Sequence, residues 1–216
     1  MSVIAAIKKD GVIYMGADSQ VTRSGTRTSL SNPNNYKIWK VKGIDNCLIG
    51  HVGNLRDACA IRVMHGLVRE IDIIKDSIDF DYVVCRIVPM IIDELKNYDY
   101  LAKDGRFDGM DSRFLFAYKD KLFLISQDAS VIEIDDCIAI GSGECEAIGS
   151  LITTSKDGNA NIRIIKAIQS SATHDIYVDY PIVLANTADT EFDVITEINI
   201  NEHLNEGKEL WLMSLK

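Results

Sequence analysis

The chain enters a β-hairpin almost at its first residue. Ser2 to Ile7 and Val12 to Met15 are apolar, β-prone runs separated by Lys8-Lys9-Asp10-Gly11. Asp-Gly is the strongest short-range hairpin signal, because a two-residue turn of the favoured hand needs positive φ at both central positions. Chain ends normally fray. A strand that starts at the second residue therefore asks for a reason, and it fixes a neighbour as well. In a tight hairpin the end of the second strand folds back beside the start of the first. Asp18, in Met15-Gly16-Ala17-Asp18, is thereby placed next to Ser2.

Downstream, Thr22 to Asn35 is rich in Ser, Thr, Asn and Gly and reads as a loop. Tyr36 to Val41 and Cys47 to Val52 read as a second hairpin, and Asn54 is placed to cap a helix. Leu55 to Ile73 carries apolar residues at helical spacing, and a second helix is expected from Phe80 or Asp81, with Pro89 kinking it or ending its first half. A polar, glycine-containing loop follows over 100–112. Short strands are expected at 114–118, 122–126, 131–134 and 137–140, the last ending in Gly141-Ser142-Gly143. Helices are expected over about 144–154 and 159–172, and strands at 182–185 and 192–200. Strands and helices come in blocks rather than alternating. This order argues for layered α+β architecture and against a doubly wound parallel sheet.

With 216 residues, 47% hydrophobic and 25% charged, the chain fits one domain, 1–216, with 192–216 as a C-terminal extension. A net charge of −9 opposes binding to nucleic acid or to anionic membrane. No run approaches the roughly 18 apolar residues of a membrane span, and the first residues lack the basic start of a signal peptide, so a cytoplasmic protein is expected. The five cysteines are an odd number with no CxxC pair, and they read as reduced core residues. The four histidines are scattered and form no zinc pattern, and no cofactor is implied.

Chemistry concentrates in four segments. Removal of Met1 would expose Ser2 with a hydroxyl and a free α-amine of pKa about 7.7–8.0, so nucleophile and base would share one residue. Asp18 could hold a cation or orient the terminus. Lys37 and Lys40 lie on a predicted strand, where a lysine beside the nucleophile would lower its pKa or would otherwise point to solvent. Gly141-Ser142-Gly143 lets backbone approach other groups closely, and it offers a nucleotide-binding alternative that lacks both the P-loop ending and GxGxxG spacing.

In order and spacing these segments resemble the proteasome β-subunit family, and within it the bacterial two-component peptidase paired with an unfoldase ATPase. The likeness rests on Ser2, Gly11, Gly16-Ala17-Asp18-Ser19-Gln20-Val21-Thr22, Lys37, Gly50-His51-Val52-Gly53-Asn54, Ile138 to Gly143 and Ala172-Thr173-His174-Asp175. It implies an N-terminal-nucleophile hydrolase with a four-layer αββα fold. It further implies Ser2 as nucleophile, Lys37 tuning its protonation, Asp18 pairing with Lys37, the Gly50 N–H as oxyanion donor, and Ser142 and Asp175 hydrogen-bonded around the terminal amine. The partners it implies are a peptide or unfolded-protein substrate, a homo-oligomeric ring and an unfoldase ATPase. Three positions depart from the family: serine stands for the usual threonine nucleophile, Val178 stands for a serine, and the stretch from Thr22 to Lys37 is longer. An amidohydrolase of small amides and a non-catalytic assembly protein remain as alternatives on the same fold.

Overall fold

The opening hairpin is present. Strand β1 (Val3–Lys9) turns through Asp10 and Gly11, at φ 50° and 76°, into β2 (Val12–Ala17), with Lys9 opposite Val12. The computed structural model describes residues 2–99, 102–103, 108–197 and 199, with the backbone alone at 102, 103 and 108. Met1 and most of the expected 192–216 extension lie outside the described residues.

After the hairpin come β3 (Gln20–Arg23), β4 (Thr26–Ser29), β5 (Ile38–Val41) and β6 (Ile44–Val52), then α1 (Leu55–Val63), α2 (Glu70–Ile74) and α3 (Phe80–Tyr82). A π-helical turn at Val83–Ile87 leads into α4 (Val88–Asn97). Next are β7 (Ala102–Lys103), β8 (Asp108–Gly109), β9 (Arg113–Tyr118), β10 (Lys121–Ile125), β11 (Val131–Glu133) and β12 (Cys137–Gly141). The helices α5 (Glu144–Thr153) and α6 (Ala160–His174) follow, and β13 (Ile182–Asn186) and β14 (Asp193–Ile195) complete the described order.

Two antiparallel sheets, β12-β1-β2-β13-β14 and β11-β10-β9-β6-β5, lie face to face. Period-two alternation explains the layering. In β1, Ile4 and Ala6 join the core between the sheets, while Val3, Ala5 and Ile7 pack beneath α5 and α6. In β9, Leu115 and Ala117 face the other sheet, while Phe114, Phe116 and Tyr118 face the layer holding α1 and α4. A strand covered on both faces reads as a continuous apolar run, which is why the terminal strand carries no polar alternation. The fold is the expected four-layer αββα arrangement.

Three local expectations need correction. The helix read as continuous from Leu55 to Ile73 stops at Val63, and Gly66 takes φ 73°. Apolar spacing persists because Leu67 and Val68 enter the same core without being helical. The polar stretch after Thr22 holds a hairpin, β3 with β4, which turns through Ser24 and Gly25 at φ 49° and 81°. Of the five free cysteines only Cys47 is buried; Cys59, Cys85 and Cys145 are exposed. Pro89 sits in the first turn of α4 directly after the π turn, where the Val88 N–H donates to the Val83 carbonyl and a proline's missing N–H is tolerated.

Candidate active site

The start of β1 is held from both flanks. On one side β12 pairs with β1, with Val3 opposite Gly141, which lays the Gly-Ser-Gly turn over Ser2. The Ser2 nitrogen donates to Ser142 Oγ at 3.1 Å, Ser142 Oγ donates back to the Ser2 carbonyl at 3.3 Å, and Gly143 N reaches the same carbonyl at 3.4 Å. Gly141 has φ 119°, and a Cβ there would collide with the Ser2 carbonyl, so only glycine fits. Ser2 is 6% exposed.

On the other side Asp18 leaves β2. Its Oδ1 accepts from Val3 N at 2.9 Å and its Oδ2 from Gln20 N at 3.0 Å. Lys37, just before β5, places Nζ 2.8 Å from both Asp18 oxygens and 2.6 Å from the Gln20 carbonyl, which uses all three ammonium protons. Both side chains are almost wholly buried. Burial pushes Asp18 up and Lys37 down, and each is the other's main counterweight. The stretch from Thr22 to Lys37 therefore does not displace the lysine. The β3–β4 hairpin and a short 3-10 turn at Pro33–Asn35 take up its length. Lys40 points elsewhere and donates to the carbonyls of Asp45, Asn186 and Asp189.

Gly50 is the residue expected to present its N–H to an oxyanion. It lies inside β6, opposite Ile38 on one side and Leu115 on the other. His51 N donates to the Lys37 carbonyl at 2.9 Å, toward β5, so by alternation the Gly50 N–H faces β9. A Cβ on Gly50 would meet Met15 Sδ at 2.8 Å in the core between the sheets. Gly53 follows β6 directly. Alternation turns its N–H back to the β5 side, beyond the point where β5 begins. Its φ is 128°, and a Cβ would lie 2.6 Å from Ser112 Cα. The paired glycines of Gly50-His51-Val52-Gly53 were a visible signal, but only the end of β6 decides between them.

Asp175 caps the end of α6. Its Oδ1 accepts from Tyr177 N at 2.9 Å, and its Oδ2 is buried with no hydrogen-bond partner among the described residues. Its charge acts on Lys37 rather than through a bond to the Ser2 nitrogen.

Ser2, Lys37 and Gly53 open together on a cleft of about 690 Å³ between β3 and the start of α1. His51 forms part of its floor. Burial, aided by the charges of Lys37 and Arg62, lowers its pKa to about 3, so it is neutral at physiological pH. His51 Nε2 lies 2.9 Å from Ser112 Oγ, which donates to Asp57 at 2.7 Å and accepts from Asn54 N at 3.1 Å. The hydroxyl stands between imidazole and carboxylate, so the set braces the floor and is not a nucleophilic triad. Sequence reading missed His51 and Ser112 because they are 61 positions apart and meet only through the pairing of β6 with β9. Among the described residues no cluster of His, Cys, Asp and Glu suits a metal ion, and no helix is long and apolar enough to cross a membrane.

This architecture is the proteasome-like N-terminal-nucleophile-hydrolase fold. Solved structures with the same fold include BPH of Thiobacillus denitrificans in complex with epoxomicin (TM-score 0.65, 18% identity, covering 88% of this chain and 99% of that one). Others are HslV of Trypanosoma brucei (0.61, 20%, 85% and 98%) and Anbu, an ancestral β-subunit, of Yersinia bercovieri (0.64, 11%, 99% and 94%). No family model and no curated protein matches the chain.

Proposed function

We propose that the chain is a peptidase acting through Ser2 after removal of Met1, as a subunit of a homo-oligomeric ring. The observation that carries the reading is the double clamp on the start of β1. Ser142 meets the Ser2 nitrogen, while Asp18 joins Val3 N to the buried Lys37 ammonium. A free amine at that nitrogen takes the proton from Ser2 Oγ as the hydroxyl attacks a peptide carbonyl. Lys37 stabilises charge gathering at the oxygen, and Asp18 keeps Lys37 charged in a buried setting. The Gly53 N–H faces the oxyanion. The amine then protonates the departing peptide nitrogen, leaving an ester on Ser2. It next draws a proton from the water that hydrolyses that ester. Unfolded polypeptide delivered by an unfoldase ATPase is the substrate this reading implies, in the cytoplasm.

Intact-mass measurement with and without epoxomicin tests it. Loss of Met1 and one covalent adduct are expected, with the adduct absent in Ser2→Ala. A retained Met1 with no adduct would leave a non-catalytic assembly protein on the same fold.

A further inference from the structure

Over the whole chain acidic residues outnumber basic ones, 32 to 23. The cleft beside Ser2 reverses this balance. Its lining includes Arg23, Lys37 and Arg56 and, among the described residues, no Asp or Glu. Lys37 is neutralised by Asp18, and His51 on the floor carries no charge near neutral pH. The two arginines stand on opposite walls, Arg23 at the end of β3 and Arg56 in the first turn of α1. Arg56 is steadied at 3.3 Å by Asp57 and at 3.3 Å by Asp111, neither of which lines the cleft. Arg23 has no ion-pair or hydrogen-bond partner for its guanidinium among the described residues. The α1 N-terminus opens on the same space through Gly53, Asn54 and Leu55, so its peptide dipoles add to the positive potential. Val21, Leu55 and Cys59 also line the cleft, and among the described residues it holds no aromatic ring.

We infer that this cleft selects an acidic side chain, Glu or Asp, on the residue whose carbonyl Ser2 attacks, with Arg23 as its counter-ion. The inference rests on the peptidase reading above. A carbonyl placed at Ser2 directs the neighbouring side chain into the adjoining cavity. Among the described residues that cavity is lined to receive a negative charge, on a protein that is acidic over its whole chain.

The test is a set of fluorogenic peptides identical except for Glu, Gln, Leu or Lys at that residue, with epoxomicin adduct formation on the same protein as an independent check of the nucleophile. The Glu peptide is expected to exceed the Leu peptide in kcat/KM by about tenfold, which lies between the effects of exposed and buried ion pairs. The advantage should shrink as salt is raised, and Arg23→Glu should shift the preference to the Lys peptide. An adduct with equal or better turnover of the Leu peptide, or an Arg23→Glu protein that keeps the Glu preference, overturns this inference and leaves the peptidase reading standing. No adduct and no cleavage of any peptide overturns both.

Discussion

One oxygen of Asp18, Oδ1, lies 2.9 Å from Val3 N and 2.8 Å from Lys37 Nζ, so a single carboxylate fixes both the strand that begins beside Ser2 and the buried Lys37 ammonium. Removing one partner of such a buried pair strands the other charge, at a cost of about 3–5 kcal/mol. Lys37→Met is expected to destabilise by that amount in urea titrations. Adding Asp18→Asn should recover part of the loss, giving a clear coupling energy in the double-mutant cycle. Both variants should lose epoxomicin labelling, because neither restores the ammonium.

Gly50 and Gly53 separate structure from chemistry. In Gly50→Ala the new methyl meets the flexible end of Met15, so a loss of about 1–3 kcal/mol in stability with retained labelling is expected. In Gly53→Ala the methyl meets backbone at a positive φ, and the loop bearing the proposed oxyanion donor must shift. Labelling and turnover should fall at least about a hundredfold, the usual cost of an oxyanion donor. Equal labelling of the two variants would return the donor role to Gly50.

Ser142→Ala removes the acceptor 3.1 Å from the Ser2 nitrogen. Stability should change by about 1 kcal/mol. The rising limb of the activity–pH profile should move, because the base loses a hydrogen-bond partner that sets its proton affinity. A profile that drops in height without moving would place Ser142 in a packing role only.

His51 supplies an acid-sensitive contribution to stability. Its folded pKa of about 3 lies below the unfolded value of 6.5, so the unfolded chain binds the extra proton between those limits. The contribution is fully present above pH 6.5 and is lost as pH falls toward 3, reaching roughly 5 kcal/mol at most. His51→Gln should flatten the fall in urea midpoint between pH 6.5 and 4. An unchanged slope would mean that the ring is solvated.

The parts of this molecule that could be read beforehand are those governed by near neighbours. Asp10-Gly11 set the hairpin, and the hairpin set Asp18 beside Ser2. Lys37 was found through its resemblance, and its contact with Asp18 then followed from the sheet. What escaped depends on registers between distant segments. Whether Gly50 or Gly53 lies past the paired part of β6 is decided by where β5 starts, and neither glycine's neighbours encode that. The β3–β4 hairpin escaped because its strands are mostly exposed and carry no apolar alternation. The break after Val63 escaped because burial of Leu67 and Val68 continues the apolar pattern in chain that is no longer helical.

The placement of β1 between two cores has a consequence for motion. Val3 to Ile7 are fully covered, by the second sheet on one face and by α5 and α6 on the other. Their amides should exchange with solvent only when the whole domain opens. The proposed nucleophile is thus tethered to the slowest-opening segment of the chain rather than to a pliant loop. Heat or denaturant should then abolish labelling and global structure in one transition, with no intermediate range in which the protein is folded but the site has come apart.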